Sequence, residues 1–189
     1  MMNKPPFGHA HEKRWHVLDS EVMTENPYFR VLNRRVRMPD ARETDYYTID
    51  FPRAAVGVVA RRPGEILLIR QYRFIVDQFV WAIPSGGIDR SEDGAAAARR
   101  ELEEETGHEP GHVRPLFAYY PSYGSGNQEF HLFEALDVRP SSRPYDRNEV
   151  LEVRWFEEAE VLRMMLAQEI LDGLSLTPLL FLATRERWS

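Results

Sequence analysis

Hydrophobic and polar positions fall into two regimes along the 189-residue chain. Up to about residue 83 the apolar residues come in short runs of strand length, divided by turn signals. Tyr28-Phe29-Arg30-Val31 opens a strand that runs to Met38, and Pro39-Asp40-Ala41-Arg42 reads as a turn. Tyr46-Tyr47-Thr48-Ile49 returns as the next strand. Residues 54–60 form an unbroken apolar run around Gly57, the pattern of a buried strand. Pro63-Gly64 turns the chain into a strand over 65–73, and another covers 79–83. At Pro84-Ser85-Gly86-Gly87 the pattern changes. Ser91 predicts an N-cap, with Glu92 and Asp93 in the first turn, for an Ala/Arg/Glu helix that reaches Thr106 and stops at Gly107. Strands are predicted near 113–120, 128–137 and 150–156, then a helix near 157–168. A last helix is predicted with Thr177 as N-cap and Pro178 as its first residue. The polar loop 139–148 and the first 13 residues are expected to be flexible. This order predicts an α+β fold, a mixed β-sheet sandwiched between helices after an antiparallel β extension.

Composition narrows the chemistry. With 43% hydrophobic residues the chain can bury a core without staples. It has no cysteine, which removes disulfides, thiolate zinc sites and cysteine nucleophiles. The net charge of −6 argues against a nucleic-acid binder working through bulk charge. No apolar run is long enough to span a bilayer, and residues 1–15 lack the apolar segment of a signal peptide. A cytoplasmic protein with no membrane partner is therefore expected. His9, His11 and His16 match no standard zinc spacing, and His131 reads as strand packing.

The informative stretch is GGIDRSEDGAAAARRELEEETG, residues 86–107. On a helix, Glu101, Glu104 and Glu105 share one face. Like charges at that spacing cost roughly 0.2–0.5 kcal/mol per pair. A divalent cation would offset this, since Mg²⁺ takes hard oxygen ligands and leaves sites for phosphates. By itself such a charge run more often marks a solvated face. The complete spacing changes that balance. Gly86, Glu92, Arg100, Glu101, Leu102, Glu104, Glu105 and Gly107 fill the fixed positions of a pattern that resembles the Nudix box, the motif of the Nudix hydrolases. The last, normally aliphatic, position holds His108.

The resemblance implies a loop–helix–loop that binds Mg²⁺, with Mn²⁺ as the alternative, against a diphosphate. Glu101, Glu104 and Glu105 match the metal-ligand glutamates, and the carbonyl of Ser85 matches a backbone ligand. Arg100 matches the arginine that orients a ligand glutamate, Gly86 and Gly107 match turn glycines, and Glu92 matches a structural acid. The implied reaction is hydrolysis of a nucleoside diphosphate linked to another moiety. Glu149 is the preferred general base, with Glu152 and Asp146 as alternatives, because relatives use an acid before the last strand.

The likeness reaches beyond the box. Leu67-Leu68-Ile69-Arg70-Gln71-Tyr72-Arg73 resembles the RQYR strand of ADP-ribose and nucleotide-sugar pyrophosphatases. Trp81-Ala82-Ile83-Pro84-Ser85-Gly86-Gly87 is similar to their WELPAG segment, with Ala82 in place of the usual Glu. The resemblance implies that residues 1–52 form a β extension used for dimerisation and base binding, and 53–189 the hydrolase domain. Tyr28, Phe29 and Tyr46 are candidates for the base, with hairpin packing an equal reading. Arg73, Tyr123 and Gln128 are further substrate candidates. Tyr123 stands where ADP-ribose pyrophosphatases commonly carry Pro, and Gln128 where Glu is frequent, which weakens ADP-ribose as the specific substrate. The expected protein is a homodimer that cleaves a nucleotide sugar to a nucleoside monophosphate and a sugar phosphate. Hydrolysis of another nucleoside di- or triphosphate, or a non-catalytic ligand-binding regulator, are the alternatives. The acidity is also localised: residues 86–107 hold seven acids and three bases, so −4 of the net −6 lies in one loop and helix.

Overall fold

Antiparallel hairpins dominate the start of the chain because turn chemistry punctuates it. The computed structural model describes residues 14–186. The expected flexible segment 1–13, with His9 and His11, therefore lies outside the described residues. Strands β1 (His16–Glu25), β2 (Arg30–Arg37) and β3 (Glu43–Asp50) form a sheet of order β1-β2-β3. The β1–β2 turn is closed by Asn26, whose Oδ1 accepts from the N–H groups of Tyr28 and Phe29 at 2.8 and 3.0 Å. The predicted 39–42 turn is present, with Ala41 at φ 68°. The sequence pattern opens its first strand at Tyr28 and does not separate β1, whose ten residues are all exposed. Lacking a buried face, β1 carries no clean period-2 signal.

Contacts divide the chain into two units, one reaching to Phe51 and including Gly124–Asn127, the other comprising the rest. In the first, Ile49 N–H donates to Ser125 O at 2.7 Å, and Phe51 N–H donates to Asn127 Oδ1 at 2.7 Å. The segment 124–127 is thereby tied to the end of β3.

The second unit is built on a mixed sheet of order β10-β5-β4-β9-β8. These strands are β4 (Ala55–Arg62), β5 (Glu65–Arg73), β8 (His108–Tyr119), β9 (Phe130–Pro140) and β10 (Glu152–Glu157). β6 (Gln78–Ala82) pairs with β5, and the short β7 (Ser85–Gly87) pairs with β4. Only β4 and β9 are parallel. The first six residues of β4 are buried, because each face carries a helical layer. Val56, Val58 and Ala60 pack with Ala97, Ala98 and Leu102 of α1 (Gly94–Thr106). Val59, Ile66 and Leu68 pack with Val161 and Met164 of α2 (Glu158–Leu166) and Leu179 of α3 (Gly173–Glu186). The expected α+β sandwich is the observed fold.

Two helix starts differ from expectation. The N-cap of α1 is Asp93, whose Oδ1 accepts from Ala96 N–H at 2.8 Å, not Ser91. Glu92 is drawn into the loop instead, accepting from Asp89 N–H at 2.9 Å. Pro178 lies inside α3 rather than at its start. Asp172 reaches Ser175 N–H at 2.9 Å, and Thr177 Oγ1 donates to Gly173 O at 2.6 Å. Those bonds close the turn before the proline, so the helix extends back past it.

The loop 139–148, expected to be flexible, is tied to the end of α1. Ser141 N–H donates to Gly107 O at 2.7 Å, and Asp146 N–H to Glu104 O at 3.1 Å. Gly107 is required here, since it holds φ 66° and a Cβ on it would sit 3.1 Å from Arg143 O. His108 closes the same turn through Thr106, its N–H donating to Oγ1 at 3.1 Å. His131 lies half-buried in β9, in keeping with strand packing.

A buried ion cluster ties β4, β8, β9, α2 and α3 together. Glu134 has no exposed side-chain surface and accepts from Arg61 at 2.7 Å and from Arg114 Nε at 2.6 Å. Arg61 also pairs with Glu158 and Glu186 at 2.5 and 2.6 Å. Breaking one partner of a buried pair strands the others, so Glu134→Gln is expected to cost about 3 kcal/mol. Urea unfolding checks this; an unchanged midpoint overturns it. The arginines hold Glu134 below the usual carboxylate range, and Glu186 down to about 2. Because the folded values are depressed, this stabilisation is complete at neutral pH. It is lost as pH falls from about 4.5 toward about 2.

Candidate active site

Helix α1 carries two faces at once. Ala97, Ala98 and Leu102 enter the core, while Glu101 and Glu105, one turn apart, are buried beside them. Good helix formers keep this segment helical despite its like charges. Glu105 is fixed at both oxygens: Ser85 N–H donates to Oε2 at 2.7 Å, and Gln71 Nε2 donates to Oε1 at 3.1 Å. Gln71 is itself buried in β5. The sequence pattern alone gives it no role in the site; an amide amid apolar strand residues is the signal that marks it.

Glu101 explains Gly86. A Cβ on Gly86 would lie 2.1 Å from Glu101 Oε1, so only glycine admits this carboxylate. Gly86 sits in β7 and is not among the residues with positive φ. The expectation of a turn glycine is therefore corrected: the constraint is close approach.

Arg100 gathers the acids around it. Its Nη1 donates to Glu101 at 2.7 Å and to Glu104 at 3.0 Å. Its Nη2 reaches Glu92 at 2.7 Å and Gly87 O at 2.9 Å. Glu92 thus links the loop to the helix, while Arg100 sets the rotamers of Glu101 and Glu104.

A cavity of about 320 Å³ opens on this face, lined by Glu101, Glu104, Glu105, Asp146 and Glu149 with Arg143. The structure therefore brings Glu149 and Asp146 to the box glutamates. Glu152 is placed in β10 opposite Arg70, away from that lining. Among the described residues, no three His, Cys, Asp or Glu side chains are drawn together as a ready-made metal cluster. The donor chemistry still fits a hard divalent cation, being carboxylate oxygen throughout. Burial pushes Glu105 up to about 8, and Glu101 adds to this, while Ser85, Gln71 and Arg73 act against it. Burial likewise raises Glu101. Two buried carboxylates that resist ionising together are what a cation would stabilise.

The remaining candidates are dispersed. Arg73 ends β5 and lines a second, larger cavity that also contains Ser85. Tyr123 is 88% exposed and Gln128 is half-buried. Tyr28, Phe29 and Tyr46 belong to the first unit. There Tyr46 hydroxyl donates to Gly124 O at 2.7 Å and its ring meets Trp15 edge-on. Phe29 packs on Phe51, and Tyr28 is 79% exposed.

Comparison with known proteins agrees with this geometry. A NUDIX domain model matches residues 51–175. A CMP-5'-(N-acetyl-N-hydroxy-3-aminopropyl)phosphonate hydrolase from Streptomyces rubellomurinus is 33% identical over 79% of this chain and 74% of its own length. An ADP-ribose pyrophosphatase from Bacillus subtilis is 26% identical over 80% of this chain and 83% of its own. A GDP-mannose pyrophosphatase from Klebsiella pneumoniae is 28% identical over 89% and 91%. A crystal structure of an ADP compounds hydrolase superposes with a TM-score of 0.82 at 20% identity, covering 92% of this chain and 97% of that one. That last likeness speaks to the fold.

The raised carboxyl of Glu105 has a consequence for stability. Between about 4.5 and about 8 the folded protein holds a proton that the unfolded chain releases. The metal-free protein is therefore expected to lose stability as pH rises through that window. Melting temperatures across pH 5–8 in chelator should fall, and Glu105→Gln should flatten that slope. An equal slope in both proteins overturns this reading.

Proposed function

The chain belongs to the NUDIX family and is a pyrophosphohydrolase of that family; on this premise we propose that it hydrolyses nucleotide sugars at a divalent-metal site on α1. The products are a nucleoside monophosphate and a sugar phosphate. The single observation that carries this reading is the cavity where Glu101, Glu104 and Glu105 meet Glu149. Support also comes from relatives named for ADP-ribose, GDP-mannose and a CMP-linked phosphonate, each a nucleotide joined through phosphorus to a second moiety.

In this reading Glu101, Glu104 and Glu105, with the Ser85 carbonyl, hold Mg²⁺ or Mn²⁺. Bound metal neutralises phosphate oxygens and lowers the pKa of the attacking water. Arg100 keeps Glu101 and Glu104 in place, and Glu105 is aimed by Ser85 and Gln71. Glu149 accepts a proton from water as its oxygen bonds to one phosphorus. The P–O bond of the anhydride breaks and the other phosphate leaves. Arg73 offers a fixed positive charge to the phosphates, while Tyr123 and Gln128 contact the bound substrate. Glu149 is preferred over Glu152 because it lines the same cavity as the box glutamates.

Residues 1–52 serve as the dimerising extension in this reading, and the working protein is a cytoplasmic homodimer. Its support is the exposed Val17, Val22, Met23 and Tyr47 on the three-stranded sheet. No helix among the described residues is long and apolar enough to cross a membrane.

A panel of nucleotide sugars and nucleoside triphosphates with Mg²⁺ tests the reaction. Nucleoside monophosphate plus sugar phosphate is expected; pyrophosphate from triphosphates alone overturns the assignment. Glu105→Gln should lower kcat by at least about a hundredfold with the far-UV circular dichroism spectrum retained, and Glu149→Gln, as the base, should do the same. Light scattering should give twice the chain mass, and a monomer mass overturns the dimer.

A further inference from the structure

Of the four glutamates of α1, Glu103 alone has no task in the metal site, and it does not line the acidic cavity. It is not a solvated surface charge either, since its side chain is only 26% exposed. Glu103 Oε1 accepts from the Ser141 hydroxyl, and Oε2 faces the Arg143 guanidinium at 3.8 Å. The Arg143 side chain is largely exposed and that contact is long, so the hydroxyl bond is the specific one.

Ser141 works in two directions. Its N–H donates to Gly107 O at 2.7 Å, and its Oγ also accepts Arg143 N–H at 3.1 Å, which closes a tight turn beside Gly107. Past that turn, Arg143 and Pro144 form a wall of the acidic cavity. Pro140 and Pro144 have no N–H, which leaves this stretch of backbone few donors of its own. The loop meets α1 again at Asp146, whose N–H donates to Glu104 O at 3.1 Å. Asp146 O then accepts Glu149 N–H at 3.3 Å and Val150 N–H at 3.0 Å. Val150 and Tyr145 pack with Ile69 and Ala82, and Leu151 N–H donates to Arg70 O at 2.9 Å. Glu149 therefore stands on a strap fastened to β5 largely by packing and to α1 by hydrogen bonds.

We propose that Glu103 is a positioning residue: through the Ser141 hydroxyl it latches the 141–149 loop to α1 and thereby sets where Glu149 stands over the box glutamates. A carboxylate oxygen makes the stronger bond to a hydroxyl than a neutral acceptor does. Ala97, Ala98 and Leu102 seat α1 on the sheet, so a loop fastened to the helix keeps its distance from Glu101, Glu104 and Glu105. A general base must stand within hydrogen-bond reach of the attacking water, so loosening the loop costs turnover more than substrate binding. The proposal rests on the hydrolytic reading above, with Glu149 as the base, and adds the group that holds that base in place.

Glu103→Ala and Ser141→Ala remove the bond, whereas Glu103→Gln keeps an acceptor oxygen for the hydroxyl. In both alanine variants kcat should fall about tenfold, the size of one hydrogen bond to a charged group, with KM little changed. Glu103→Gln should recover most of that kcat. Trypsin gives a readout apart from activity, because Arg139 and Arg143 are each followed by proline and Arg147 is left as the cleavable position of the loop. In chelator, cleavage after Arg147 should be at least about fivefold faster in the alanine variants than in the wild type, since it follows the open population. Adding Glu103→Ala to Glu149→Gln should cost less than about twofold further, because the group being positioned is already gone. An unchanged kcat or cleavage rate in the alanine variants, a loss in Glu103→Gln as large as in Glu103→Ala, or a full further loss on top of Glu149→Gln overturns the latch and leaves the hydrolytic reading standing. Wild-type turnover in Glu149→Gln overturns the base assignment and the latch with it. No turnover of any nucleotide sugar or nucleoside triphosphate with Mg²⁺ or Mn²⁺ overturns the hydrolytic reading as well.

Discussion

Withdrawing a pair of carboxylates from water is the constraint around which the second unit is arranged. Glu101 and Glu105 are 9% and 6% exposed, and burial alone pushes both toward the neutral form. Holding them there takes donors from three separate elements: Ser85 of β7, Gln71 of β5, and Arg100 on the helix itself. It also takes an empty place on the backbone, which is why residue 86 has no side chain. Gln71, the Ser85-Gly86 pair and Arg100 are well separated in sequence. The sheet sets β5 and β7 end to end along the edge of β4 opposite β9, and that is what brings them to one helix face.

The cost of that arrangement is offset by ordinary core packing. β4 is buried from Ala55 to Ala60, with α1 on one face and α2 and α3 on the other. Burial of this kind gives roughly 1.5–3 kcal/mol per large apolar side chain. The Arg61–Glu134 cluster adds little net energy of its own, since desolvation consumes much of the attraction. Its part is to fix how α2 and α3 seat on the sheet, because each guanidinium bond requires a particular geometry. The same seating sets Asp172 and Leu174 opposite the β5–β6 hairpin.

Local chemistry made much of this legible beforehand. The 65–73 strand is legible at its true limits, because Pro63-Gly64 and the run EILLIRQYR leave little choice. The end of α1 at Gly107 was equally plain, since a positive φ favours glycine. Local signals mislead where a side chain has two uses. Ser91 and Asp93 are both good caps, and the choice between them depended on Glu92 being held by Arg100. Pro178 is a helix-start signal by itself, yet Asp172 captured that role from six residues upstream. The polar 139–148 loop looked unstructured because its partners, Glu103, Glu104 and Gly107, belong to another element.

The spacing of the box was decided by sequence alone, because three carboxylates at helical intervals between two glycines need only the helix period to share a face. Strand and helix types follow from sequence for a similar reason, each period being a local property of the backbone. Burial belongs to the tertiary structure. Glu104 stays half exposed while Glu105, its neighbour, is pushed up to about 8. Sequence treats the two alike. The difference is whether a residue faces solvent or the sheet edge, and that depends on contacts with Ser85 and Gln71, 20 and 34 residues away. The larger cavity is likewise invisible in the sequence. Its walls come from the β5–β6 hairpin and the start of α3, which only the completed sheet sets face to face.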